Sequence, residues 1–195
     1  MTRVDGTETD EALMLAAAGD NLQAFEMLVK RHQNRVYRMA RQMLSNEEDA
    51  WDASQEIFIK VYNARKNYVE DAKFTTWLFR IANNAIIDKI RQYTRANKVF
   101  SLEDALQEPP SNDQTTHHSL ELNEVKQYMS EALAKLSERQ RSMVILKYYE
   151  GCSVNEIAEV FECAAGTVKA TLFQAVKHLR NGLAKHGVVN AEVAS

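Results

Sequence analysis

Lys169, Thr171, Gln174 and Lys177 fall on one side of a helical period whose other side is Val168, Leu172, Ala175 or Val176, and Leu179. Ammonium groups in such a row can meet phosphate oxygens, and a hydroxyl and an amide among them can hydrogen-bond base edges. The segment before it, from Ser153, is a second short helical period with Val154, Ile157, Ala158 and Phe161 on its apolar side. Ser153 with Glu156 three positions on is a capping box that starts that helix, and Glu162 to Ala165 interrupts the period. Two helices meeting across so short a turn form either a helix-turn-helix, whose second member reads DNA, or an ordinary helical hairpin. The polar row on the second helix favours the former.

Two further windows carry side chains that chemistry can use. Residues 73–98 set Lys73, Arg80, Lys89, Arg91, Arg95 and Lys98 beside a core stripe of Phe74, Trp77, Leu78, Ile81, Ala85 and Ile90. Asn83 and Asn84 stand mid-helix, where amides are poor helix formers and are tolerated when they hydrogen-bond to bases or to neighbouring backbone. Cations interleaved with aromatics suit unpaired bases; a solvated helix with Trp77 in its core explains the same pattern. Asp49, Asp52, Gln55 and Glu56 make an acidic, amide-bearing face. Without a Glu-x-x-His partner pattern this face fits a docking surface for a basic protein better than a metal site, and plain solubility is the remaining alternative.

The elements that must position these groups are all helical. The expected order is a helix over 10–18 stopped by Gly19, a second capped by Asp20 with Gln23, and a third opened by Ser45 and running to about Ala64. A turn over 69–73 leads to a helix from about Thr75 to Arg95. Helical period returns from Glu121 through Val125, Met129, Leu133 and Leu136; Ser137 with Gln140 caps the next helix, which Gly151 ends. The tail frays after Lys185. The fold class is therefore all-α, with two compact helical domains, 10–98 and 121–185, joined by a flexible acidic linker over 99–120 that contains Pro109–Pro110.

Charge supports that division. Residues 1–98 hold 15 Lys and Arg against 14 Asp and Glu, residues 99–124 hold none against 6, and residues 125–195 hold 9 against 7. A net charge of −3 is a poor match for a protein that coats DNA unaided, so help from a partner is expected. Cys152 and Cys163 complete neither a Cys-x-x-Cys pair nor, with five scattered His, a zinc spacing, and small buried residues are their expected role. The first ten residues are polar and acidic, no run is long enough to span a bilayer, and the expected location is cytoplasmic. Neither a phosphate loop nor a nucleophile–base arrangement is present, so an enzyme is not expected, and neither cofactor nor metal is.

The three windows, in this order, resemble the extracytoplasmic-function (group four) sigma factors of bacterial RNA polymerase over residues 20–98 and 125–182. The first motif stands here as Asp49, Ala50, Asp52, Gln55, Glu56 and Phe58; the second as Phe74, Trp77, Leu78, Arg80, Ile81, Ala82, Asn84, Asp88 and Arg91. The C-terminal pattern matches at Leu136, Ser137, Arg139, Gly151, Glu156, Ile157, Ala158, Gly166, Thr167, Val168, Lys169, Leu172, Ala175, Leu179 and Arg180. The resemblance implies that Asp49, Asp52, Gln55 and Glu56 dock on the clamp coiled coil of the polymerase's largest subunit. It implies that Lys73, Arg80, Asn83, Asn84, Asp88 and Arg91 capture the unpaired minus-ten promoter element. Thr167, Lys169, Ala170, Thr171, Phe173, Gln174 and Lys177 would then read the minus-35 element from the major groove. Ser137 to Tyr149 would face the polymerase flap, and the linker would thread toward the RNA exit path.

Implied partners are the core polymerase, promoter DNA and an anti-sigma protein, often membrane-anchored in this family, with the chain monomeric when free or in a one-to-one complex with the inhibitor. The family often has Arg or Lys at the positions of Thr171, Gln174, Val176 and His178, and Leu-Gly where Phe161–Glu162 stand. Fewer cations on the groove side imply weaker minus-35 binding and greater dependence on the polymerase. The rival function is a two-domain helix-turn-helix regulator that binds duplex DNA without polymerase. It requires a ligand pocket or a symmetric interface in the first domain.

Overall fold

A computed structural model describes residues 8–44, 46–100 and 117–188, and every regular element in them is helical. Helices α1 (Asp10–Ala18), α2 (Leu22–Met43), α3 (Glu47–Ala64) and α4 (Phe74–Phe100) form the first module. Its core is made by Leu13, Met14, Leu28, Val36, Met39, Ile57, Phe74, Leu78, Phe79 and Ile86, all essentially inaccessible to solvent. Two polar ties hold α1 in this core. Asp10 receives Arg31 at 2.8 Å and His32 at 2.7 Å, and Glu11 Oε1 accepts the Phe74 N–H at 2.9 Å. The second bond caps α4, whose first turn lacks an acidic residue, with a carboxylate from 63 residues upstream.

The helix starts differ by one residue from expectation in two places. Asn21, not Asp20, caps α2 through Ala24 N; Asp20 instead sits at φ 66° and binds Arg65 and Lys66. Asn46 caps α3 through Glu48 N, and Ser45 lies outside the described residues. At the first of these Asp20 and Asn21 offer equivalent capping oxygens, and the left-handed backbone at Asp20 selects Asn21. The linker expectation falls mostly on 101–116, which also lies outside them. The flanking helices reach further into it than expected, to Phe100 on one side and from His117 on the other.

The second module comprises α5 (His117–Ala134), α6 (Glu138–Val144), a π-helical turn (Ile145–Tyr149), α7 (Val154–Val160) and α8 (Ala165–Ala184). Both expected capping boxes are formed, Ser137 with Gln140 and Ser153 with Glu156. Met143, Ile145, Leu146, Ile157, Val168 and Ala175 make the core. The wider π turn lets Ile145 and Leu146 both point inward while Tyr148 and Tyr149 stay exposed. Gly151 then reverses the chain at φ 72°, a conformation that costs a side-chain-bearing residue about 1 kcal/mol or more. Helix α5 approaches α8 where Ala132 faces Gly182; a Cβ on Gly182 would stand 3.3 Å from that of Ala132.

The two modules lie against each other. α4 packs along α7, and the C-terminal half of α2 meets α6 and the π turn.

Candidate nucleic-acid and protein interfaces

The acidic face of α3 is formed as its spacing requires, because Ala50, Ala53, Ile57, Phe58 and Val61 turn the opposite side into the core. Asp52, Gln55 and Glu56 are exposed, with Glu56 paired to Lys60 at 3.2 Å. Asp49 has a different position. Its Oδ1 accepts the Tyr93 hydroxyl at 2.6 Å and its carbonyl accepts Lys89 Nζ at 3.2 Å, which ties α3 to α4. The structure adds two residues that sequence reasoning passed over. Trp51 is 55% and Ile59 60% exposed, on the same side as Gln55 at four-residue spacing. Trp51 rests edge-on against Tyr37, centroids 5.7 Å apart, so its ring is held outward on the surface. The available signal was that both stand one position off the core stripe.

Lys73, just before α4, and Arg80, Asn84, Asp88 and Arg91 on it are at least partly open to solvent, whereas Asn83 is 3% exposed. Asn83 points at the second module: Ser142 Oγ, wholly buried, donates to its Oδ1 at 2.5 Å. The core side of the helix is Phe74, Leu78, Phe79, Ala82 and Ile86, with Ile81, Ala85 and Ile90 flanking it. Trp77 is half-buried against Tyr68 and Phe74, which fits the core role weighed for it. Between α4 and the α6–α7 side lies a cleft of about 470 Å³ lined by Arg80, Asn83, Arg91, Arg139 and Phe161 among others.

Thr167, Lys169, Ala170, Phe173, Gln174 and Lys177 line the exposed side of α8, with Phe173 69% exposed; Thr171 is half-buried. Val168, Leu172, Ala175 and Leu179 hold that face outward by burying the other. The turn before α8 places Glu162 at φ 49°, unusual for a residue with a side chain. Arg139 stacks over Phe161 at 5.2 Å and fixes the end of α7. Cys152 is buried, and burial pushes its thiol up to about 11; Cys163 is half-buried. Among the described residues no group of His, Cys, Asp and Glu is arranged to hold a metal ion, and no helix is long and apolar enough to cross a membrane.

Glu156 carries the strongest electrostatic perturbation near these faces. Lys73 Nζ, at 2.7 Å, and the capping bond from Ser153 N, also 2.7 Å, hold its carboxyl down at about 2 against an ordinary 4.5. The depressed value means that these contacts contribute fully above pH 4.5 and are lost as pH falls toward 2. An NMR titration of the Glu156 carboxyl should find this low value. Lys73→Ala should move it up, but short of the ordinary value, because Ser153 still donates.

The profile for sigma-70 region 2 matches residues 28–96, and that for sigma-70 region 4 matches residues 126–179. The ECF RNA polymerase sigma factor SigE of Mycolicibacterium smegmatis is 31% identical over 180 residues, covering 91% of this chain and 69% of its own. The ECF RNA polymerase sigma-E factor of Escherichia coli K12 is 31% identical over 183 residues, 89% of this chain and 93% of its own. Among solved structures, CnrH in complex with the cytosolic domain of CnrY is similar at a TM-score of 0.69 and 26% identity, covering 91% of this chain and 99% of CnrH.

Proposed function

This chain belongs to the extracytoplasmic-function RNA polymerase sigma factors, and from that premise we propose how its faces divide the work of promoter recognition. The protein is a transcription initiation factor that directs core RNA polymerase to promoters; phosphoryl transfer belongs to the polymerase. The α3 face of Asp52, Gln55 and Glu56, extended by Trp51 and Ile59, docks on the clamp of the largest subunit. Asp49 supports this face from behind by fixing Tyr93. Lys73, Arg80, Asn84, Asp88 and Arg91 take the unpaired minus-ten strand, with cations on phosphates and the Asn84 amide on a base, while Asn83, turned toward Ser142, would reach a base only with that hydrogen bond broken. Helix α8 enters the major groove at minus-35 through Thr167, Lys169, Ala170, Thr171, Phe173, Gln174 and Lys177. Tyr148 and Tyr149, exposed on the π turn, face the flap.

The observation that carries this reading is the joint exposure of two polar faces on separate modules, each backed by a packed core. Neither module is strongly cationic, so productive binding requires a polymerase that spaces them. An anti-sigma protein, whether free or membrane-anchored, is the expected inhibitor, and the cytoplasm the expected location. Run-off transcription with purified core polymerase tests the whole reading: the chain should confer promoter-dependent transcripts that core alone does not make. Stable operator binding by the isolated chain at physiological salt, with no effect on core polymerase, would favour a polymerase-independent regulator instead.

One variant separates the duplex-reading face from the rest. Lys169→Ala is expected to weaken minus-35 duplex binding several-fold at every sequence tested and to reduce the salt slope by about 1, as the loss of one phosphate contact should. Fluorescence anisotropy across a salt series reads both numbers.

A further inference from the structure

The loop between α3 and α4 is held at both ends by one short unit, α1 and the turn that follows it. At the start of the loop, Asp20 in that turn takes Arg65 at 2.5 Å and Lys66 at 3.3 Å, both on the 3-10 helical turn Arg65–Asn67. At its end, Glu11 Oε1 on α1 accepts the N–H of Phe74, the residue after Lys73, at 2.9 Å. Between these ties the loop closes on itself. Tyr68 is 6% exposed, rests edge-on against Trp77 with centroids 5.3 Å apart, and donates its hydroxyl to the Ala72 carbonyl at 3.4 Å. Arg65 is fixed further by stacking over the Tyr62 ring at 4.0 Å and by a bond to the Tyr62 carbonyl at 2.9 Å. Val69 and Asp71 are left exposed, on the same cleft as Trp77 and Arg80.

We propose that α1 and the turn after it set the loop over 65–73 for the unpaired strand, with Glu11 and Asp20 as positioning residues that touch no DNA themselves. The inference rests on the assignment of Lys73 and α4 to that strand.

The Asp20 tie is not explained by stability. Its side chain is 59% exposed and that of Lys66 62%, and ion pairs so open to water contribute little to folding. Asp20 nevertheless stands at φ 66°, an angle that glycine adopts without steric cost. What a glycine would lack is the carboxylate that reaches Arg65 and Lys66. A backbone angle of this kind, kept for the sake of a side chain, belongs to segments that position functional groups. The Glu11 tie explains a choice of residue. Lys73 occupies the capping position of α4, since its carbonyl accepts the Trp77 N–H at 3.3 Å, and its ammonium offers no acceptor. Glu11 supplies that acceptor from another helix, which leaves position 73 able to carry a cation in place of a capping oxygen. Contacts carried on a loop keep their affinity only while the loop is ordered before the ligand arrives, and the two ties provide that order.

Holoenzyme reconstituted from core polymerase and the full chain tests this, with permanganate reactivity of minus-ten thymines, on a promoter that gives run-off product, as the readout of strand capture. Glu11→Ala and Asp20→Gly should each lower that reactivity about fivefold, the effect of losing one capping or positioning contact. Glu11→Gln, which keeps an acceptor oxygen, should retain most of the wild-type reactivity. Affinity for core polymerase should change less than about twofold in all three, because neither residue belongs to the α3 face. The melting temperature of Asp20→Gly should stay within about 3 °C of wild type, since glycine fits the backbone there. An equal loss in Glu11→Gln and Glu11→Ala overturns the inference, as does a loss of core affinity that matches the loss of reactivity. Arg80→Ala separates the inference from its premise. If Arg80→Ala lowers the reactivity while Glu11→Ala and Asp20→Gly do not, the inference alone falls; if all three leave it unchanged, the assignment of α4 to the unpaired strand falls with it.

Discussion

Trp51→Ala is expected to lower the affinity of this sigma factor for core RNA polymerase about thirtyfold, the effect of removing an interface anchor worth about 2 kcal/mol. The ring is 55% exposed and is held outward by its edge contact with Tyr37, so little ordering remains for a partner to impose. Asp52, Gln55 and Ile59 are exposed along the same helix and can add polar and apolar contacts around such an anchor. Because Trp51 is not in the core, the melting temperature should change by only a few degrees, about what 1 kcal/mol produces in domains of this size. Competition of wild type and variant for labelled core polymerase gives the ratio directly. Asp52→Ala with Gln55→Ala should act in the same direction, less strongly. Unchanged assembly in both variants would remove α3 from the polymerase interface.

Ile157→Ala should unfold the second module while the first remains folded. Ile157 is fully buried under the helix-turn-helix, and a truncation of this kind costs about 2–5 kcal/mol. A core built from about 70 residues rarely supplies more than about 3–5 kcal/mol, so the loss is comparable to the whole stability of the module. The first module keeps its own core of Leu28, Met39, Phe74, Leu78 and Phe79, to which Ile157 does not belong by sequence or position. Amide hydrogen exchange read by mass spectrometry should therefore show protection lost over 125–184 and retained over 22–90. Uniform loss across both would mean that the modules form one cooperative unit, and the division into separate domains would fail.

Both expectations draw on features of different legibility. Capping boxes at Ser137 and Ser153, the apolar stripes of α2 and α3, and the break at Glu162 are all written within four residues of one another, and the structure forms them as the sequence implies. Such signals depend on backbone groups and neighbouring turns, which are close whatever the rest of the chain does. Choices between equivalent neighbours were less legible, as at Asp20 against Asn21, because either oxygen can cap and the turn geometry decides. The exposure of Trp51 was legible only as a position one step off the core stripe.

The sequence by itself determined an all-helical chain, the order of its motifs, and the family that order identifies, because helical period and capping are local properties. Tertiary structure alone decided that Asn83 turns inward while Asn84 stays out, that Asp49 is tied to Tyr93, and that Arg35, Lys73, Arg80 and Arg91 each find a glutamate. Those partners lie 44 to 115 residues apart in the chain, and helical period fixes which side of a helix is polar but not what that side meets. Only the packing of helix on helix, within the first module and between the two, supplies that answer.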